Sequence, residues 1–104
     1  MKVFDVTDES GRVFAFEVNN TLLGRRGLCR VVRSIPGASL TKTPVIFSWL
    51  REEVFCKFVI NNVEFEALEP FGDNSRYWIG PSEPLWVPEI EIVRHTFLSS
   101  GFTA

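Results

Sequence analysis

The chain is poor in the residue types that build metal centres and catalytic triads. It has one histidine, His95, and two cysteines, Cys29 and Cys56, which lie far apart in the sequence. Structural zinc sites usually take four cysteine or histidine ligands in short spaced pairs, and a catalytic nucleophile needs a base that a third group holds in place. The sequence therefore predicts no metal, no cofactor and no catalytic residue, and it favours a non-enzymatic protein. An enzyme with Arg76 and Asp73 in a pocket is the reserve alternative.

The two cysteines lie inside apolar patterns. A reduced thiol in such surroundings behaves as a small hydrophobic group, and this is the interpretation that we favour. A disulfide is the alternative, because the sequence does not say whether Cys29 and Cys56 are near each other.

Long hydrophobic runs are also missing. No stretch approaches the roughly 20 apolar residues that a membrane-spanning helix needs. The first residues, MKVFDVTDESG, carry acids where a secretory signal has an apolar segment. We therefore expect a cytoplasmic protein without a membrane partner.

The residues that are present suit one ordered domain. The chain has 104 residues, of which 45% are hydrophobic and 23% are charged, and it contains ten phenylalanines. Domains commonly have about 100 to 150 residues, so a single domain over residues 1–104 is expected. The net charge is −2, whereas nucleic-acid-binding domains are usually basic.

Two hairpins are indicated by turn residues between apolar strands. In the first, a three-residue loop at 9–11 would place the aromatic side chains on one face, which makes it the favoured loop length. This register pairs Phe4 with Phe16, and it pairs Val6 with Phe14.

The second hairpin turns at Asn61 and Asn62, since asparagine tolerates the positive φ angles of a type I′ turn. One face then carries hydrophobic pairs and the other is suited to water. The predicted pairs are Ile60 with Val63, Phe58 with Phe65 and Cys56 with Ala67 on the first face, and Val59 with Glu64 and Lys57 with Glu66 on the second.

Two helices and further strands complete the pattern. Apolar residues recur at helical spacing in GLCRVVRSIPG and in PEIEIVRHTFLSSG. PVIFSWL is predicted as a strand, with a helix as the alternative, and RYWIG as a short strand. The order ββαββββα predicts a two-layer α+β domain, in which two helices cover a mostly antiparallel sheet of about five to six strands. The order of strands in the sheet does not follow from the sequence.

The segment EPFGDNSRYWIGP, together with the proline-rich stretch after it, is the main candidate for a binding surface. Arginine, tyrosine and tryptophan are the types enriched at interface hot spots. A purely structural turn is the alternative, in which Asp73 pairs with Arg76. The candidate binding residues are Asp73, Asn74, Arg76, Tyr77, Trp78 and Trp86.

These residues favour an interaction module, regulatory or inhibitory toward a protein partner of unknown identity, and a homodimer is also compatible with them. The alternative function is binding of an anionic ligand or a nucleic acid by a cluster of arginines without an intervening acid. That cluster consists of Arg25, Arg26, Arg30 and Arg33. The net charge makes a nucleic acid the less expected partner.

Overall fold

A computed structural model describes residues 1–21, 23–42, 54–69 and 75–101. These residues form six strands and two helices in the predicted order, ββαββββα. The strands are β1 (Phe4–Thr7), β2 (Val13–Asn19), β3 (Ser39–Lys42), β4 (Val54–Ile60), β5 (Val63–Leu68) and β6 (Arg76–Pro81), and the helices are α1 (Gly24–Arg33) and α2 (Ile90–Ser99). Of the described helices, none is long and apolar enough to span a membrane.

The strands form one sheet in the order β1-β2-β6-β5-β4-β3. Every neighbouring pair is antiparallel. The β6 strand lies between the two hairpins, so it is hydrogen-bonded to β2 on one side and to β5 on the other. The sheet therefore depends on the strand that joins the two hairpins.

Both helices pack on the same face of the sheet, which we call the covered face. Side chains from α1, from α2 and from alternate positions of the strands form one buried cluster. Its larger members include Leu28, Val31 and Val32 of α1, Ile90, Val93 and Phe97 of α2, and Phe16, Val18, Phe58, Phe65, Tyr77 and Ile79 of the sheet. The opposite sheet face, which carries Phe4, Glu17, Glu66, Leu68, Arg76 and Trp78, is called the open face.

The second hairpin has the predicted turn and register. Asn61 and Asn62 have φ angles of 50° and 65°, and every predicted pair is present. Lys57 lies opposite Glu66, yet its ammonium contacts Glu64, with 3.6 Å between Nζ and Oε1. The cross-strand ion pair is therefore diagonal.

The loop of the first hairpin also has the length that the sequence predicts. Gly11 has a φ of 86°, a conformation that glycine adopts without steric cost. The Asp8 backbone N–H donates to the Arg12 carbonyl at 2.8 Å, and the Asp8 carboxylate accepts from the N–H groups of Ser10 and Arg12. The three-residue loop at 9–11 is therefore present.

The register predicted beyond that loop is wrong by one residue. A β-bulge follows Val6 and places Phe4 opposite Glu17 instead of Phe16. Val6 is likewise not paired with Phe14. A one-residue shift exchanges the two faces of a strand, so Phe4 lies on the open face.

An ion pair with the second helix accompanies this register. The shift turns Asp5 toward the covered face, where Arg94 of α2 donates to both carboxylate oxygens, from Nε at 2.8 Å and from Nη2 at 2.9 Å. The hydrogen bond to Asp5 raises the pKa of Arg94. Bidentate pairs of this kind are among the stronger polar contacts in proteins, and the partner comes from the far end of the chain.

The third strand of the described sheet is one that the sequence pattern does not predict. It is β3, at Ser39–Lys42, and it pairs with β4. The segment PVIFSWL, at 44–50, lies outside the described residues, as do Asp73 and Asn74. The strand prediction for 44–50 and the predicted turn contacts of these two residues therefore stay predictions.

Tyr77 belongs to the core. Its side chain points to the covered face, it is 5% exposed, and its ring packs against Phe55 with 4.8 Å between the centroids. Burial raises the pKa of its hydroxyl, nearby Glu69 raises it further, and Arg25 opposes this effect. Tyr77 is therefore not part of an exposed binding surface.

Titration of Tyr77 tests this placement, because it is the only tyrosine in the chain. We expect the ultraviolet absorbance of phenolate to give a pKa above about 10 in the native protein and about 10 in denaturant. The native fold favours the neutral hydroxyl of Tyr77. The contribution of this group to the free energy of unfolding is therefore fully present below its unfolded pKa and is lost as pH rises through its folded pKa. A native midpoint at or below the denatured one would contradict the buried position.

Candidate functional site

The candidate site is organised by β6, whose side chains alternate between the two sheet faces. Tyr77 and Ile79 point into the core, whereas Arg76 and Trp78 point to the open face. Trp78 pairs with Glu17 of β2 on one side and with Leu68 of β5 on the other. The indole is therefore near the middle of the sheet.

A glycine allows the indole to lie close to the sheet. A Cβ atom built on Gly80 would be 2.6 Å from Cη2 of Trp78 and 2.8 Å from Cβ of Ala15. Real Cβ atoms do not approach other atoms this closely, so only glycine permits this ring position. The half-buried indole therefore packs over Gly80.

Arg76 is fixed by residues of the two strands on the β1 side of the sheet. Its Nη1 is 3.3 Å from Oε1 of Glu17, and its guanidinium carbon is 3.6 Å from the ring centroid of Phe4. A cation over an aromatic face is attracted by the ring's quadrupole. Arg76 therefore neutralises Glu17. The alternative partner predicted for Arg76, Asp73, lies outside the described residues, so that pairing stays a prediction.

A shallow groove of about 290 Å³ runs beside Trp78 on the open face. Glu66 lies opposite Gly80, is half-buried and has no ion pair within the described ranges. Ser82 contributes a buried Oγ that lacks a hydrogen-bond partner among the described residues. The groove is lined by Glu17, Glu66, Leu68, Trp78, Pro81, Ser82 and Pro84.

Trp86 lies in a different groove from Trp78. Its ring is 4.6 Å from the guanidinium carbon of Arg12, and it packs against the edge of the core. The second groove, of about 550 Å³, shares only Pro81 and Ser82 with the first. The two indoles therefore do not line one groove, and the candidate site centres on Trp78.

The arginine cluster is divided by the fold. Arg25, at the start of α1, has an 11% exposed side chain, and its Nε is 3.0 Å from Oε1 of Glu69. Its guanidinium carbon also lies 4.8 Å from the ring centroid of Phe55. Arg25 is therefore a structural residue that ties α1 to the sheet.

The three other arginines form an exposed stripe along α1. Arg26, Arg30 and Arg33 are spaced by four and three residues, which places them on one helix face. All three are exposed, and none has an ion pair among the side chains that the structure describes. We call these residues the arginine stripe.

The two cysteines meet between α1 and β4. Both are free and almost fully buried. The hydrogen bond with Cys29 and burial raise the pKa of the Cys56 thiol, and the same contact lowers the pKa of Cys29. The thiols pack as small apolar groups inside the core.

The single histidine lacks the surroundings of a catalytic base in the described part of the chain. His95 is exposed on α2, with Nε2 at 3.5 Å from Oγ of Ser99. In the described part of the chain no carboxylate is recorded as holding this imidazole, so the third group of a triad is missing there. The described residues also contain no cluster of three or more side chains that could hold a metal.

Several residues of the groove were not recognised from the sequence as site residues. The sequence pattern correctly predicts Glu66 on the solvent face of its hairpin, and it does not single out Glu17. Nothing in the sequence places either beside Trp78, because their proximity depends on the strand order. One feature of the sequence does indicate the position of the indole. The glycine two positions after the tryptophan in RYWIG is typical of a strand position that a side chain approaches closely.

Comparison with protein-family models, with curated proteins and with solved structures gave no match to this chain.

Replacing Gly80 by alanine tests how the indole is held. Because the new Cβ would overlap both Trp78 and Ala15, we expect a loss of about 1–3 kcal/mol in the free energy of unfolding and a shifted tryptophan emission. Denaturant titration followed by fluorescence measures both.

The matched control is Gly101→Ala, since no described atom lies within 4 Å of a Cβ at that position. We expect this variant to stay within about 0.5 kcal/mol of the parent. Equal stabilities for the two variants would show that the indole is not packed over Gly80.

Proposed function

We propose that the protein is a small non-enzymatic interaction module that binds a protein partner through the open face around Trp78. The observation that carries this proposal is the tryptophan fixed over Gly80 on a sheet face that neither described helix covers. A half-buried indole in this position offers apolar area to a partner without further rearrangement.

The surroundings of the indole support this function. Tryptophan and arginine are the residues most enriched at interface hot spots, and Arg76 lies two positions from Trp78 on the same face. The central strand is bonded on both sides, and Arg76 is held by Glu17 and Phe4. Such a preorganised surface loses little conformational freedom when it binds.

A comparison of Trp78→Ala with Leu85→Ala tests the proposal. Leu85 is the control because it is 66% exposed and lines the second groove. We expect proteins captured from a native lysate to include one whose direct binding, measured with purified components, weakens about 30-fold or more in Trp78→Ala. The same partner should bind Leu85→Ala and the parent equally.

Thermal unfolding of both variants provides the folding control. If every captured protein binds folded Trp78→Ala as well as it binds the parent, the open face is not the contact surface.

A second function, binding of an anionic ligand or a nucleic acid, is favoured by one observation. The arginine stripe presents three guanidinium groups without a paired carboxylate in the part of the chain that the structure describes. Arg25 does not belong to this surface, because its side chain is largely buried and forms an ion pair with Glu69. The stripe is therefore smaller than the four-arginine cluster of the sequence.

Salt dependence tests this second function. If the stripe contacts three phosphates of duplex DNA, the logarithm of the binding constant should fall with the logarithm of salt concentration with a slope of about −2.7. Arg30→Ala should reduce that slope by about 0.9, as measured by fluorescence anisotropy of a labelled duplex. A slope that Arg30→Ala leaves unchanged would exclude the stripe as the phosphate contact.

A further inference from the structure

We propose that the groove beside Trp78 binds the cationic end of a lysine or arginine side chain. This inference rests on the proposed function, because the side chain would belong to the protein partner that docks on the open face. It adds the chemical class of the residue that the partner inserts.

The charges around the groove favour a cation. Two carboxylates line it, those of Glu17 and Glu66. Glu17 already has Arg76 as its ion-pair partner, at 3.3 Å. Lys57, which lies opposite Glu66, contacts Glu64 instead. Glu66 is therefore a half-buried carboxylate with no counter-ion among the described residues.

The indole adds a second attraction for the same ligand. A cation within about 6 Å of a tryptophan ring centroid is attracted by the electrons of the ring face. The molecule uses such contacts elsewhere, with Arg76 over Phe4 and Arg12 over Trp86. Within the described ranges no cation is recorded over Trp78, whose ring lines the groove beside Glu66.

The remaining walls suit a long side chain with a polar end. Leu68, Pro81 and Pro84 provide apolar surface for an aliphatic stem. The acid and the indole therefore select a cation over an acidic or apolar group.

Small model compounds test the groove without the partner. The probes are the Nα-acetyl methylamides of lysine and of arginine, with that of norleucine as the uncharged analogue of lysine. In ¹H–¹⁵N spectra of the whole protein we expect both cationic probes to shift the indole N–H signal of Trp78 saturably. The norleucine probe should bind about tenfold more weakly or not at all. Equal binding of lysine and norleucine probes, or no saturable shift with either cation, would overturn the inference.

Glu66→Gln and Glu83→Gln form a matched pair of variants. Each removes one negative charge, but only Glu66 lines the groove beside Trp78, whereas Glu83 is exposed and lines the second groove. We expect Glu66→Gln to weaken binding of the lysine probe about tenfold and Glu83→Gln to change it less than about twofold. Similar weakening by both variants would show a general charge effect and contradict a specific contact.

Partner binding separates this inference from the proposed function. If Trp78→Ala abolishes partner binding and Glu66→Gln leaves it unchanged, the open face is the contact surface and the cation groove is refuted. If neither variant affects a partner, both ideas fail. Loss of binding in both variants, with retention in Glu83→Gln, supports both.

Discussion

The hydrogen bonding of β6 on both of its sides is the constraint on which the rest of the structure depends. A strand held between β2 and β5 has one register on each side, so its alternation is fixed. Tyr77 and Ile79 complete the core beneath the helices, and Trp78 is necessarily placed on the other face. Core formation and presentation of the indole are thus two results of one strand pairing.

Features set by local chemistry could be predicted from the sequence. The Asn61–Asn62 turn, the register of its hairpin and both helices follow from turn preferences and hydrophobic periodicity. The first hairpin shows the limit of that approach. Its loop is local and was predicted, whereas its register contains a bulge and brings Asp5 to Arg94 from the other end of the chain, a contact that no local pattern encodes.

The candidate site was predictable only in part. Alternation indicates that Tyr77 and Trp78 face opposite ways, but the sequence does not say which of them is buried. Packing decides this, because Gly80 leaves room for an indole on the open face. The separation of Trp86 from this site and the proximity of Glu66 both follow from the strand order, which no local pattern encodes.

Paramagnetic broadening in ¹⁹F NMR tests most directly whether β6 presents Trp78 outward. The protein would carry fluorotyrosine at Tyr77, its only tyrosine, and fluorotryptophan assigned by Trp→Phe variants. With a soluble gadolinium chelate, the Trp78 signal should broaden and the Tyr77 signal should stay sharp. Protection of Trp78 to the same degree as Tyr77, or broadening of Tyr77 alone, would contradict the account.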